Sequence, residues 1–298
     1  MAGAAGLALA TAAPAQVIVG VDGDTATATI SLTDGNGTTY EADVTIVFDT
    51  PHGLTPQALN LTAEIADIGD TNRRLRGDLN VNCDLGIICP TIDPAFPVIV
   101  TVEPIDFPWV FRDGFETTAE AFAGFDDLSF LNTYRMDIHT HDLSYANNSP
   151  YRLYKAPVGD MFHDVTNDVL PGSVRVRGRG GAFSDFVVAT DPRLPLTVAL
   201  QKILQLHTRI LIAAISDGLR LDLLGLLAQI DTLILIDVLG ALAALDELID
   251  LIDVNAGTEI PNLWTAHRDV VNDAGEMSEL AQTLRFSIVR LLGGTANP

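Results

Sequence analysis

The stretch Asp137-Ile138-His139-Thr140-His141-Asp142 sets one carboxylate and two imidazoles at alternate positions. On a strand, alternation sends Asp137, His139 and His141 to one face and Met136, Ile138 and Thr140 to the other. Such a face is a ligand set for zinc, copper or a similar divalent ion, because imidazole is a common ligand for those metals. The plainer reading is a solvated polar face paired across strands. Arg175, Arg177 and Arg179 alternate in the same way within Ser173-Val174-Arg175-Val176-Arg177-Gly178-Arg179. Three guanidinium groups on one face suit an anion such as carboxylate, phosphate or sulfate. Their alternative is cross-strand pairing with local acids, Asp137 and Asp185 among them. If the two strands are neighbours, their faces merge into one polar patch.

Other constellations are weaker. Asp78-Leu79-Asn80-Val81-Asn82-Cys83-Asp84 spaces oxygen ligands as calcium loops do, but Cys83 stands where the loop needs glycine and Cys89 where it needs an acid. A His-x-His pair also opens the amidohydrolase metal site, which requires further histidines from later strands of an α/β barrel. Here His52, His163, His207 and His267 are scattered, and no α/β alternation exists. The chain has no Gly-x-Ser-x-Gly elbow, no phosphate-binding Gly-x-x-x-x-Gly-Lys, no His-Glu-x-x-His and no dinucleotide fingerprint. The two cysteines, Cys83 and Cys89, lie six apart in a loop-like stretch and would close a small disulfide ring in an oxidising compartment.

The elements that must position these residues follow from composition and periodicity. The 298 residues carry 39 acids against 17 bases, a net charge of −22. That excess repels phosphates and anionic lipid, so neither nucleic acid nor an acidic membrane surface is an expected partner. The most apolar window, Leu221 to Leu245, contains Asp222, Asp231 and Asp237, which argues against a membrane span. Ala2 to Ala13 is a small-residue apolar run, and Ala13-Pro14-Ala15 before Gln16 fits the small-x-small cleavage rule. Residues 1–15 therefore read as the remains of a signal peptide, although no Lys or Arg precedes the run, and the localisation expected is secreted or periplasmic.

Near Pro195 the pattern changes. Before it apolar residues alternate with polar ones; after it they recur every three or four positions. The expected fold class is α+β. Residues 16–194 form an antiparallel β-sandwich of immunoglobulin-like or jelly-roll-like type, and residues 195–298 an α-helical hairpin or three-helix bundle. Strands are expected at Val17–Val19, Thr25–Leu32, Tyr40–Phe48, Ala58–Ile68, Val98–Val102, Arg135–Leu143, Tyr151–Ala156, Ser173–Gly178 and Ala182–Ala189. Asp70 to Pro97 reads as a loop, and Phe107 to Leu131 gives no clear pattern. Helices are expected at Leu196–Ser216, Leu219–Asp253 and Asn262–Leu292, the last with Gly275 as a candidate break. The second is apolar nearly all round, so it must be buried on several sides, by its sisters or by another copy of the chain.

Several stretches resemble an uncharacterised family of exported bacterial proteins. They are His139-Thr140-His141-Asp142-Leu143, Lys155-Ala156-Pro157-Val158-Gly159 with Phe162, Asp164 and Thr166, and Gly180-Gly181-Ala182-Phe183-Ser184-Asp185-Phe186. Ile260-Pro261-Asn262-Leu263-Trp264 and Thr283-Leu284-Arg285-Phe286-Ser287 fit the same family. The cysteine loop and the phenylalanine-rich stretch do not match it and read as an insertion. The resemblance implies export and no particular activity or cofactor. The sequence therefore points to a non-catalytic binding or structural protein of unknown ligand. Its rivals are a metal-binding protein or metal-dependent hydrolase on Asp137, His139 and His141, and a surface protein that self-assembles through the apolar helix at 219–253.

Overall fold

The computed structural model describes residues 16–77, 89–105, 127–145, 148–266 and 271–293. The expected signal peptide, Cys83, the calcium-like loop and most of the phenylalanine-rich stretch lie outside them.

Three strands open the described chain: β1 (Gln16–Asp22), β2 (Thr25–Thr33) and β3 (Thr39–His52). Then come α1 (Pro56–Leu59), β4 (Leu61–Ile65), α2 (Ile68–Gly77), β5 (Thr91–Ile92) and β6 (Val98–Val102). The strands β7 (Ser129–Ser144), β8 (Tyr151–Ala156), β9 (His163–Asp164), β10 (Thr166–Leu170), β11 (Ser173–Gly180) and β12 (Asp185–Thr190) follow. Helices α3 (Pro195–Ile212), α4 (Asp217–Leu233) and α5 (Val238–Asn255), strand β13 (Leu263–Thr265) and helix α6 (Asp273–Leu291) complete it.

The strands pair antiparallel in two sheets. Sheet A has the order β1-β2-β3-β7-β11-β10, with β13 on the first residues of β7. Sheet B has the order β4-β6-β12-β8-β9, with β5 also on β12. Alternation decides which face of each is inside. In β2, Ala26, Ala28, Ile30 and Leu32 are buried while the threonines between them face out. These join Val44, Ile46, Met136 and Ile138 of sheet A and Val98, Val100, Leu153, Phe186 and Val188 of sheet B in one hydrophobic cluster. Phe48, Phe130, Tyr134, Phe183 and Trp264 form its aromatic end. Sheet B is covered on its other side too, where Leu75 of α2 and Phe162 lie against Ile99, Tyr154 and Val187. Its central strands accordingly read as continuous buried runs. The middle strands of sheet A keep a polar outer face.

The four long helices share a second core built from Leu206, Leu223, Ile230, Leu245, Leu248, Met277 and Leu284, among others. The helical part departs from expectation in two places. The single helix expected at Leu219–Asp253 is two, α4 and α5, broken where Ile234 ends α4 and the Asp237 side chain caps α5 by accepting from Gly240 N at 3.0 Å. The helix expected at Asn262–Leu292 starts only at Asp273, capped by Asn272, and its first residues instead form β13 on sheet A. Two earlier expectations also change. Ala58–Ile68 is a turn of helix, then β4, because Thr55 caps the helix at Ala58 N, Pro56 sits in its first turn and Asn60 ends it in the left-handed region. Within the Asp70–Pro97 loop lie most of α2 and all of β5. Strands β9, β10 and β13 were not anticipated.

Helix α6 approaches the sheets closely. A β-carbon added to Gly181 would stand 2.4 Å from Glu276 N and from Gly275 C, and one on Gly275 would stand 2.2 Å from the Asn132 carbonyl oxygen. Gly181→Ala should therefore cost about 1–3 kcal/mol by overpacking. Gly35→Ala, where no atom lies within 4 Å of the added carbon, is the control. Urea unfolding of the two variants checks this; equal midpoints would contradict the close approach.

Candidate functional site

Strand β7 lies between β3 and β11, which sets its outward residues among theirs. His139 pairs with Asp43 on one side and Arg175 on the other, and Asp137 pairs with Thr45 and Arg177. The histidine and arginine strands are thus neighbours, and their polar faces merge.

Within that face the groups divide into two sets. His141 Nε2 lies 3.0 Å from Asp43 Oδ2, and His139 Nδ1 lies 3.8 Å from the same oxygen. One ligand atom from each of Asp43, His139 and His141 falls within 4.8 Å of the others. The second nitrogen of each ring also meets an oxygen: His139 Nε2 faces Ser173 Oγ, and His141 Nδ1 lies 3.8 Å from Glu41 Oε2. The His139 side chain is 25% exposed, His141 42% and Asp43 48%. Partial burial, then the neighbouring Arg175 and His141, lower the His139 pKa, against a smaller opposite pull from Asp43.

Asp137 belongs to the other set. Arg177 donates to its Oδ2 from Nη2 at 2.9 Å and Nε at 3.2 Å, and Arg175 Nε lies 3.5 Å from Oδ1. Arg177 Nη1 also stands 3.8 Å from Asp168. Arg179 donates to Thr133 Oγ1 at 3.3 Å. Asp185 does not meet these arginines: it accepts from Arg74 and Thr101, each at 2.7 Å, on sheet B. Of the residues expected to bind metal, the structure brings His139 and His141 together and adds Asp43, a strand away, where the sequence suggested Asp137.

A second polar constellation, unforeseen from sequence, lies buried where α3 and α6 meet the sheets. Glu279 of α6 accepts from Lys155 Nζ at 2.5 Å, from Gly181 N at 3.0 Å and from His163 Nε2, taken as the donor, at 2.9 Å. Burial pushes its carboxyl up, but Lys155 and His163 outweigh this and hold it down to about 2. Beside it Lys202 of α3 pairs with Asp164 at 2.7 Å and donates to Thr283 Oγ1 at 2.6 Å, while Thr283 donates to the Thr166 carbonyl at 2.9 Å. Burial would raise the Asp164 pKa, yet Lys202 and Arg152 bring it below the usual value. Arg193 grips Asp191 from Nε and Nη2 at 2.8 and 2.7 Å, and Tyr154 donates to the same carboxylate at 2.9 Å. The sequence held one clue: Lys155 and Lys202 are its only lysines. The crevice next to this network, lined by Tyr154, His163, Asp164, Arg193 and Lys202, has about 10 Å³ of room. It takes no more than about one water.

The model of the family of unknown function DUF6689 matches residues 3–292. The chain belongs to that family. The matched span runs across the cysteine loop and the phenylalanine-rich stretch. No curated protein and no solved structure matches. Among the described residues, no helix is long and apolar enough to cross a membrane.

The Glu279 cluster makes stability depend on acid. Its folded pKa of about 2 lies below the ordinary glutamate value of 4.5, so its contribution is complete above pH 4.5 and is lost as pH falls toward 2. The linkage amounts to about 3 kcal/mol over that window. Unfolding free energy measured between pH 6 and about 2 should show this slope. Glu279→Gln should flatten it and also lower stability at neutral pH by about 3–5 kcal/mol, because Lys155 is left buried without a counter-charge. An unchanged acid slope in the variant would contradict the assignment.

Proposed function

We propose that this DUF6689 protein is an exported, non-catalytic binding or structural module. In this reading the two sheets form a β-sandwich, the helices brace one side of it, and the outer face of sheet A is the working surface. The observation that carries the reading is the contrast between the two polar constellations. At the seam, Lys155, Lys202, Arg193, Asp164, Asp191 and Glu279 are buried in mutual pairs, an arrangement that holds helices to sheets. On sheet A, imidazole and carboxylate groups remain half exposed.

Export is supported by the leader pattern of residues 1–15 and by the spacing of Cys83 and Cys89, which suits a small disulfide ring. The arginines at 175, 177 and 179 are held as a lesser anion site, since Asp137, Asp168 and Thr133 already engage them. The rival, a metal-dependent hydrolase on Asp137, His139 and His141, predicts turnover that His139→Ala abolishes.

The expected exported product starts at Gln16 and weighs two hydrogens less than its dithiol form. Intact-mass measurement of protein recovered outside the cytosol checks this, and a retained leader with both thiols free to alkylate would overturn the export reading. Turnover of any ester, amide or phosphate substrate that is lost in His139→Ala would overturn the non-catalytic part.

Self-association is a second reading, favoured by one observation. Leu204, Ile212, Leu221, Leu235, Ile236 and Leu239 on the helices and their connections are each more than half exposed. Light scattering at rising concentration should show a mass above the monomer, lowered by Ile236→Asp; a strictly monomeric mass counts against it.

A further inference from the structure

The geometry points to a divalent transition-metal site formed by Asp43, His139 and His141 on the outer face of sheet A, with zinc the fitting probe. It rests on this surface alone and stands apart from the readings of export and assembly.

Three features carry it. The first is spacing. Zinc bonds of about 2.0–2.1 Å at tetrahedral angles put neighbouring ligand atoms about 3.3 Å apart. Here the carboxylate oxygen shared by the two rings stands 3.0 Å from one nitrogen and 3.8 Å from the other. With all three ligand atoms within 4.8 Å of one another, side-chain movement on two adjacent strands would bring the set together.

The second is the outer ring of partners. A metal-bound histidine has its other nitrogen held by a carboxylate, hydroxyl, carbonyl or water, which fixes the tautomer and turns the free lone pair to the metal. Ser173 stands at that position for His139, and Glu41 for His141. A plain cross-strand imidazole–carboxylate contact would not require both far nitrogens to be furnished with oxygens.

The third is charge. Glu41 and Asp43 lie against the two rings, and the guanidinium groups of Arg175 and Arg177 are directed onto Asp137. Two carboxylates thus stand beside the rings for a cation, while Arg175 opposes it at His139. The pairing also explains why Asp43 rather than Asp137 is the oxygen ligand: the Asp137 oxygens are already engaged by cations that a metal would have to displace. Two imidazoles and one carboxylate leave further coordination positions open toward solvent, an arrangement that suits zinc, nickel or copper and not magnesium or calcium, which prefer all-oxygen sites.

The test uses the full chain, purified without a polyhistidine tag, stripped with a chelator and titrated with zinc by calorimetry. One zinc per chain is expected. His139→Ala, His141→Ala and Asp43→Ala should each weaken binding by more than the roughly 10–100-fold typical of an outer-partner loss, and Glu41→Gln by about that amount. His207→Ala, on the exposed face of α3, is the histidine control and should leave binding unchanged. The four variants with substitutions at sheet A are at partly or fully exposed positions, and their melting curves without metal verify that they fold. Zinc binding no tighter than that of the His139→Ala/His141→Ala double variant overturns the proposal. So does binding that survives Asp43→Ala, or that His207→Ala weakens as much as His141→Ala does.

Discussion

The carboxylate of Glu279 is the point on which the arrangement of helices and sheets depends. It is 3% exposed, and a bare charge at that depth would cost several kcal/mol. It is tolerated because three donors converge on it from separate parts of the chain. Lys155 comes from the centre of sheet B, His163 from its edge and Gly181 N from the link that carries the chain from sheet A to sheet B. No neighbouring turn of α6 could reproduce that set, so the helix is fixed in position along its axis. The Lys202–Asp164–Thr283 group repeats the device less than two turns further on and draws α3 into the same joint. Asn272 completes it: its side chain caps α6 and donates to the carbonyls of Asn132 and Gly181. The two apolar cores are thus joined across a polar seam whose register is set by ion pairs and hydrogen bonds.

That seam determines which surfaces remain free. Residues of sheet B share one apolar cluster with sheet A and another with α2 and Phe162, with Arg74 clamped between Asp185 and the Asp160 carbonyl. Helix α6 occupies the side where β10 and β11 approach β8. The central outer face of sheet A is left with a polar surface built from β3, β7 and β11. Alternation in these strands is the sequence-level sign of that exposure, just as the unbroken apolar runs of β8 and β12 mark burial on both sides.

The same logic explains what could and could not be read from the sequence. The strands at β2, β3, β7, β8 and β11 were legible because one face of each is set by period two or by a continuous buried run. The pairing of His141 with Asp43 was not, since the partners stand 98 residues apart and only sheet order makes them neighbours. Asp137, which local spacing places beside the histidines, is taken by arginines from β11. The break between α4 and α5 was hidden by uniform leucine and isoleucine on both sides, although Asp237 three residues before Gly240 is an N-cap pattern. Thr55-Pro56 before α1 was likewise a readable start signal that the alternation of the following residues masked. Strand β13 carried no local signal, because three residues pair only when a sheet edge is already there to receive them.

The acidic excess acquires a structural meaning from the seam. Both lysines and Arg74 and Arg152 are buried, and Arg193 and Arg209 are nearly so, each drawn to a carboxylate or carbonyl within the fold. Among the described residues these cations meet acids buried with them, Asp164, Asp185, Asp191, Asp273 and Glu279, so the seam is close to neutral and the acidic excess lies with the other residues. On the outer face of sheet A the exposed arginines are already committed to Asp137 and Asp168. An incoming anion would have to break those pairs and approach against the surrounding field. The cation proposed at Asp43, His139 and His141 would leave those pairs intact, and Ser173 and Glu41 lie on the far side of the two rings, where they can orient them as ligands.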